Sequence, residues 1–516
     1  MRRLGVYLRL GERIDLAVNE QIQRVGRRLL EDLLPGVTDV QPSYTTLYVE
    51  FDARRTERAT VDAWLRGHVA AARAHGGDIG GNFVRMPVRY DGEDFAAVCE
   101  ATGLARHELI DLHSGHDYKV FSVGASPGFP FLGVLDERLR MPRHPTPRAL
   151  VPAHAVAMTG LQTGIYPVSG PGGWQLLGYA LRAVYDPWRE QPFLIALGDT
   201  VRFEPEDGEV PPDPSARPLL PAEPERPVMR VDEPGLLDLV VDGGRDMGGR
   251  FGMAQSGPAD ARAAGLANAL VGNDPSEPLL ELTVRGPTLT ALHPVRIAIA
   301  GPACLPWIGG QPVEALSTLE LAAGDRLSLP HTGLGARSYL AIAGGIESDR
   351  FMDSASTDVR GLIGRRLAAG DVLGTAREVV SEMRMSARVD WPVDGATVRI
   401  LPGPQATRAA LERLDGADLR AAAGDRTGVR LEGAEIPGGE SVSEPPPLGA
   451  VQITPNGEPF VLLVDRYRTG GYAKPAVVHP DDLPIIGQLL PGMRVRFKLV
   501  EPGLRWDLGD YEALTE

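Results

Sequence analysis

The chain has 516 residues, 43% hydrophobic and 23% charged, with a formal net charge of −15. That composition excludes a single small domain, wholesale disorder and a basic binder of nucleic acid or anionic membrane. Two cysteines, Cys99 and Cys304, cannot build a disulfide framework or a zinc-thiolate site, and such sparing use fits a reducing compartment.

Charged residues Arg9, Glu12, Arg13 and Asp15 interrupt the apolar start, so it does not read as a signal peptide. No apolar run of about 18 residues is present, which is the length a membrane helix needs. A cytoplasmic protein is expected, with neither membrane nor nucleic acid among its partners. Val18, Ile22, Val25, Leu29 and Leu33 recur at helical spacing, and Pro35-Gly36 stops the helix. Leu47, Val49 and Phe51 alternate with Thr46, Tyr48 and Glu50, the pattern of a half-buried strand. Val61, Trp64, Leu65, Val69 and Ala72 predict a second helix, so residues 1–82 read as a ferredoxin-like α/β unit. After a helical passage over 93–112, short β-type runs alternate with Gly/Pro turns, which predicts a barrel or sandwich over 83–203.

Residues 204–227, rich in proline and acidic side chains, read as an extended, semi-rigid linker. Beyond it "PLLELTVRG", "VRIAIAG", "SYLAIAGG", "ATVRIL", "FVLLVD" and "VRVRFKLV" are short strands. They are interrupted by one helix, "ADARAAGLANALVG", with Asp260 as its N-cap. Two β-barrel subdomains are expected there, 228–390 and 391–516. The class is α+β, dominated by β. A Thr-Gly-x-Tyr turn in each half hints at a repeated module.

Two Gly/Pro-rich loops stand out: "GASPGFPFLG" and "GLQTGIYPVSGPGGW". They read either as barrel turns or as backbone N–H nests for an anion, walled by Phe129, Tyr166 and Trp174. No GxxxxGK[ST] motif accompanies them. His107, His113 and His116 lie close in sequence, but no carboxylate triad or HExxH pattern supports a metal, so no metal site is expected. His113 reads as a structural or substrate-contacting residue. In "RTGGYAK", Arg468 and Lys474 read either as binders of carboxylate or phosphate, or as a solvated hairpin tip. No nucleophile–base pair stands out.

The first half resembles the KipI-type family, also called allophanate hydrolase subunit 1 or the B-type subunit of 5-oxoprolinase. The resemblance rests on "PVRYDGEDF", His113 five residues before Tyr118, "SPGFPFLG", "PRHPTPRALVPAHAVAM" and "QTGIYPVSGPGGW". The second half resembles the KipA-type, biotin-dependent carboxyltransferase-like family, also called the C-type subunit of 5-oxoprolinase. Here the carriers include "PGLLDLVVDGGR", "SGPADARAAGLANALVGN", "LELTVRGPTL", "VRILPGPQ", "GAVQITPNGEPFVLLVD" and "TGGYAKPAVV".

The resemblance implies a ferredoxin-like part followed by cyclophilin-like β-barrel modules in both halves, fused through the linker. It also implies the B/C component of an ATP-dependent 5-oxoprolinase, which activates the lactam by phosphorylation for ring opening to glutamate by a separate A-type subunit. ATP and Mg2+ are the implied cofactors. Biotin is not covalently attached, because no AMKM-type sequence occurs. The alternatives it carries are a carboxyltransferase component acting on a urea-like amide, and a non-catalytic histidine-kinase inhibitor. A homo-oligomer is also expected.

Matched motif positions give His113 and Lys474 as catalytic candidates. Gly128, Phe129, Arg143, Arg148, Tyr166, Gly172, Gly173, Asp242, Asn268, Arg468, Gly471 and Tyr472 are the binding candidates. The chain departs from the family pattern at Ala125, at His154 (where the family has glycine), at Pro258 and at Pro475.

Overall fold

A computed structural model describes residues 2–75, 80–378, 384–391 and 393–500. The chain begins with strand β1 (Arg3–Arg9), helix α1 (Leu16–Glu31), strands β2 (Val37–Pro42) and β3 (Thr46–Asp52), and helix α2 (Arg58–His75). Asp15 caps α1 by accepting the Val18 N–H at 3.0 Å. Ile22, Val25 and Leu29 then face the sheet, with Val61, Leu65 and Val69 of α2 beside them. Each fully buried aliphatic side chain contributes about 1.5–3 kcal/mol. Leu33, expected on that face, lies past the helix end and is exposed.

The antiparallel sheet runs β1-β3-β2, a ferredoxin-like arrangement. The next strand, β4 (Phe83–Arg89), leaves this sheet for a barrel. Helices α3 (Phe95–Thr102) and α4 (Arg106–Ser114) follow, then β5 (Tyr118–Val123) and β6 (Pro130–Gly133). Strands β7 (Arg148–Val151), β8 (Ala155–Thr159), β9 (Gln162–Ile165), β10 (Gly170–Gly172), β11 (Gln175–Ala180) and β12 (Thr200–Pro205) complete the half. Seven of these close in the order β11-β4-β12-β5-β6-β9-β8, so the barrel has no free edge. Its first and last strands, β4 and β12, run parallel, Phe83 opposite Thr200.

The second half holds the same closed barrel. Strands 396–402, 476–478, 450–453, 459–462, 428–432, 418–424 and 494–499 follow one another around it. The first and last are again parallel, with Ala396 opposite Val495. The halves thus share one strand order. The Thr-Gly-x-Tyr turns are nevertheless not equivalent: Thr163–Ile165 belongs to barrel strand β9, whereas Gly470–Tyr472 pairs with 440–444 in a ribbon outside the barrel.

Residues 227–374 differ from the expected barrel. They form two open sheets, one of six strands and one of five, with helix α5 (Ala261–Leu270) packed on the latter. Alternating strands between tight turns cannot by themselves distinguish two stacked sheets from a closed one, because both present one apolar face. Of the expected last subdomain, residues 501–516 and Pro392 lie outside the described residues.

From residue 206 to 226 there is no helix or ladder strand, and the segment is pinned to both halves. On the first half, Ser169 Oγ donates to Asp213 and Trp188 Nε1 donates to Ser215 Oγ. The His154 ring nitrogen Nε2 sits 3.2 Å from the Pro212 carbonyl. Arg217 bridges to Ile363 of the second half, and Leu219 is buried. His154 adopts a left-handed φ of 66°, a conformation that favours glycine, which accounts for the glycine of the family pattern.

The largest departure from expectation is β3. All seven of its residues are buried, not one face only. Leu47, Val49 and Phe51 meet the helices, while Tyr48 and Glu50 meet the second half of the chain. Tyr7 and Tyr48 pack at 4.8 Å between ring centroids, and the Tyr7 hydroxyl donates to the Pro445 carbonyl. Gly5, opposite Glu50, leaves room for the Tyr48 ring, since a Cβ there would fall 2.3 Å from it.

Candidate functional site

Three units meet at a cleft of about 720 Å³. Arg3, Asp52 and Arg54 enter it from the N-terminal sheet, Asp242 and residues 255–265 from the open-sheet unit, and Leu448, Val464 and Pro480–Pro484 from the second barrel. Both halves of the chain therefore line one cavity.

Its wall is held by buried charges. Glu50, 1% exposed, accepts from Arg466 at 3.0 Å, from Gln255 Nε2 at 2.7 Å and from Arg3 at 3.2 Å. Gln255 also accepts from Arg466 at 3.2 Å, so both ends of its amide are fixed. A second cluster lies beside it. Glu281 accepts from Arg426 Nη1, from Tyr339 Oη at 2.8 Å and from the Ala259 N–H at 2.9 Å. Arg426 also pairs with Asp465 at 2.8 Å and donates to the Gly257 carbonyl at 2.8 Å. Asp260 caps α5 by accepting the Ala263 N–H, and Gln488 Nε2 donates to it at 2.8 Å.

Between these anchors Ser256 and Gly257 take left-handed φ values of 55° and 80°. For a non-glycine residue that conformation persists only where the surroundings dictate it. Burial pushes the carboxyls of Glu50 and Glu281 up, but their guanidinium partners outweigh burial and hold both below the ordinary value.

Of the residues picked from sequence, Asp242 alone lines this cleft. Its carboxylate is already committed: Ser354 Oγ, Ser356 Oγ and the N–H groups of Gly244 and Ala355 donate to it, with Arg350 at 3.3 Å. Asn268 lies in the last turn of α5, donating to the Glu277 carbonyl at 2.9 Å and accepting from Asn273 at 3.1 Å, so it props the rim turn 274–277.

Lys474 and Arg468 are neither solvated nor in the cleft. Lys474 is fully buried, 3.5 Å from Glu444, and donates to the Tyr472 carbonyl at 2.9 Å. Arg9 of β1 holds the other Glu444 oxygen at 2.8 Å. Arg468 pairs with Asp39 of β2 at 2.5 Å. Gly471 lies in the ribbon against Ser443. The "RTGGYAK" segment thus bolts the second barrel to the N-terminal sheet.

The first-half candidates gather elsewhere. Phe129, Tyr166 and Trp174 pack into a buried aromatic cluster with Phe131, Phe129 to Tyr166 at 5.1 Å and Phe129 to Trp174 at 5.5 Å. A Cβ on Gly172 would fall 2.3 Å from the Tyr166 hydroxyl. Gly173 offers its carbonyl to the His144 N–H, and the Gly128 N–H reaches the Phe251 carbonyl of the second half at 2.8 Å. Arg148 pairs with Asp94, and Arg143 is exposed nearby.

His113 sits inside the first barrel, stacked on Phe203 at 4.6 Å. Thr163 donates its hydroxyl proton to the Ala157 carbonyl at 3.0 Å, so it accepts from His113 Nε2 at 2.9 Å. Nδ1 then accepts from the Tyr90 hydroxyl at 2.7 Å. Burial pushes this imidazole down to about 3. It is a neutral core histidine, with both nitrogens satisfied and no route to the cleft. Because its folded value lies below the unfolded 6.5, its contribution to stability is complete above pH 6.5 and is lost progressively toward pH 3. The expected NMR result is an imidazole signal that does not titrate between pH 8 and 5; a midpoint near 6.5 would contradict the buried, neutral assignment.

The cleft residues missed from sequence are Arg3, Arg54, Gln255, Ser256 and Arg262. Arg262 belongs to the quoted "SGPADARAAGLANALVGN" stretch and could have been singled out as the charged residue of an otherwise alanine-rich helix start. Arg54 follows β3 in an unremarkable turn and carries no motif signal. Among the described residues no group of three His, Cys, Asp or Glu side chains is placed to hold a metal ion, and no helix is long and apolar enough to cross a membrane.

Residues 251–499 match the family described as carboxyltransferase domain, subdomain A and B, and residues 3–195 match carboxyltransferase domain, subdomain C and D. The chain is 37% identical over 205 residues to the 5-oxoprolinase B subunit of Escherichia coli O157:H7, covering 39% of this chain and 92% of that protein. It is 32% identical over 283 residues to the 5-oxoprolinase C subunit of Escherichia coli K12, covering 52% of this chain and 90% of the relative. Similarity to urea amidolyase of Lachancea kluyveri, 30% over 308 residues, spans 52% of this chain but 16% of that much longer protein. The crystal structure of TTHA0988 superposes with a TM-score of 0.92 at 45% identity, covering 96% of this chain and all of that one.

Proposed function

Because this chain belongs to the family of 5-oxoprolinase B and C subunits, built from carboxyltransferase subdomains, we propose that it is a joined B and C component of an ATP-dependent 5-oxoprolinase. One observation carries the reading: the stretches resembling two separate subunits line a single cleft, locked together by the buried ion pairs Glu50–Arg466 and Asp39–Arg468. A cyclic amide resists attack by water, and phosphorylating its oxygen supplies a leaving group. The cleft would bind the lactam, exclude water from it and present that oxygen to the γ-phosphoryl group of ATP. A separate A-type subunit would complete ring opening to glutamate.

Mg2+, when bound, would neutralise phosphate charge. Magnesium is commonly shared between one or two carboxylates and substrate phosphates, and at the cleft rim Asp274, whose two Ser276 donors share Oδ1, and Glu277, 3.8 Å from Arg377, would supply oxygens of that kind. Glu281, through Ala259, and Glu50, through Gln255, keep the wall in place.

The test is ADP release from ATP and Mg2+ with 5-oxoproline, with and without an A-type subunit from the same genome. Release dependent on 5-oxoproline, with glutamate formed once the A-type subunit is added, is expected. No release in the complete mixture, together with carboxylation of urea from carboxybiotin, would overturn the reading in favour of the urea amidolyase-like alternative.

A further inference from the structure

We propose that Arg54 and Arg262 form an anion-binding site in the cleft, taking the carboxylate of a small monoanionic substrate. The inference rests on the cleft being the reaction site. It follows from the partners of the charges that line the cleft, which are five carboxylates and three guanidinium groups.

Each carboxylate is engaged. Asp52 accepts the backbone N–H groups of Arg2 and Arg54, both at 3.1 Å. Asp242 is saturated by its serine and backbone donors. Asp274 accepts from the N–H and hydroxyl of Ser276 at 2.9 and 2.6 Å. Glu277 faces Arg377 at 3.8 Å, and Asp481 faces Arg2 at 3.5 Å. Among the cations, Arg3 is held by Glu50 and Asp246. Arg54 and Arg262 form no ion pair among the described residues, and both are exposed. The guanidinium of Arg262 lies over the Trp391 ring, 5.5 Å from its centroid, which restrains the plane and leaves its N–H groups for another partner. The charge left unpaired in the cleft is therefore cationic and comes from both halves of the chain, and the buried Ser256 hydroxyl, which has no partner among the described residues, adds a neutral donor beside it.

The lining as a whole still carries more carboxylates than guanidinium groups. An anion must be won by direct, paired N–H···O bonds and not by the general field. For Arg54 and Arg262 a single carboxylate suits that balance better than a polyphosphate without its magnesium, whose several charges would meet the surrounding acids. 5-Oxoproline has one carboxylate on a ring small enough for the cavity.

The experiment measures binding to the full chain by calorimetry, with Trp391 fluorescence as a second signal and Trp391→Phe as its control. The probes are 5-oxoproline, 2-pyrrolidinone (the same ring without a carboxylate), ADP and inorganic phosphate. Expected results are binding of 5-oxoproline, at least tenfold weaker binding of 2-pyrrolidinone, and a loss of about tenfold in R54A and in R262A, since a hydrogen bond to a charged group is at stake. Arg262→Lys should restore part of the loss, and melting temperatures should not move, because both side chains are exposed. Equal binding of the two rings, wild-type affinity in both variants, or no binding of 5-oxoproline would overturn the proposal. If the variants lose ADP and phosphate but not 5-oxoproline, the anion recognised is phosphate, and the carboxylate assignment falls. The ADP-release assay can fail while charge-dependent binding succeeds, so this test and that of the proposed function are separable.

Discussion

Glu50→Ala is expected to destabilise the protein by about 3–5 kcal/mol, because it strands the Arg466 guanidinium in a dry interface and leaves Arg3 with Asp246 as its remaining carboxylate. Arg466 is fully buried and the Arg3 side chain is 6% exposed, so neither can turn to water without parting the N-terminal sheet from the second half. Gln255 loses its acceptor in the same step. Urea denaturation followed by tryptophan fluorescence would read the loss as a lower midpoint. Glu50→Gln, which keeps acceptors but no charge, should fall between the variant and wild type. A double replacement of Glu50 and Arg466 by leucine and methionine should recover much of the stability, since an apolar pair needs no desolvation of charge. A wild-type midpoint for Glu50→Ala would show that the ion pairs hold nothing together.

The sign of the pH dependence follows from the same cluster. Glu50 and Glu281 have folded values below the ordinary one, so their contribution is complete above about pH 4.5 and is lost as pH falls through the folded values. Burial pushes Asp39 and Asp465 the other way despite their arginine partners, so protonating them in acid opposes that loss.

Glu281→Ala should be comparably destabilising, by about 3 kcal/mol or more. Arg426 and Arg337, both with 5% exposed side chains, lose their shared carboxylate, and Tyr339 Oη and the Ala259 N–H lose an acceptor. Asp465 still holds Arg426, which limits the damage. The distinguishing consequence lies in the cleft. With Ala259 released, the left-handed Ser256-Gly257 turn loses one of its anchors, and binding in the cleft should weaken even at temperatures where the chain is folded. The matched control is His113→Asn in the first barrel, which should lower stability and leave affinity alone. Equal affinity in Glu281→Ala and wild type, measured on folded protein, would remove Glu281 from any role in shaping the site.

Much of the architecture was legible because it is written in local periodicity. The α1 and α2 faces, the Asp260 cap and the strand-rich second half follow from spacing alone, and the family motifs gave the barrel in each half. The candidate site was read less well, for a physical reason. Glycine-rich loops, aromatics, a buried lysine and a histidine carry the strongest motif signal, yet packing demands the same residues. Here Tyr166 and Trp174 fill a core, His113 fills a barrel, and Lys474 and Arg468 neutralise acids on the ribbon and on β2.

The sequence by itself determined the local elements and, through its ordered motifs, the family. Only the tertiary structure decided that the polar face of β3 is buried, that residues 227–374 stay open as two sheets, and that the cleft lies between the halves. Periodicity records which face of an element is apolar. It cannot record that a polar face will meet, hundreds of residues later, a surface of opposite charge: Glu50 finds Arg466 and Arg9 finds Glu444 only once the chain has folded back on itself.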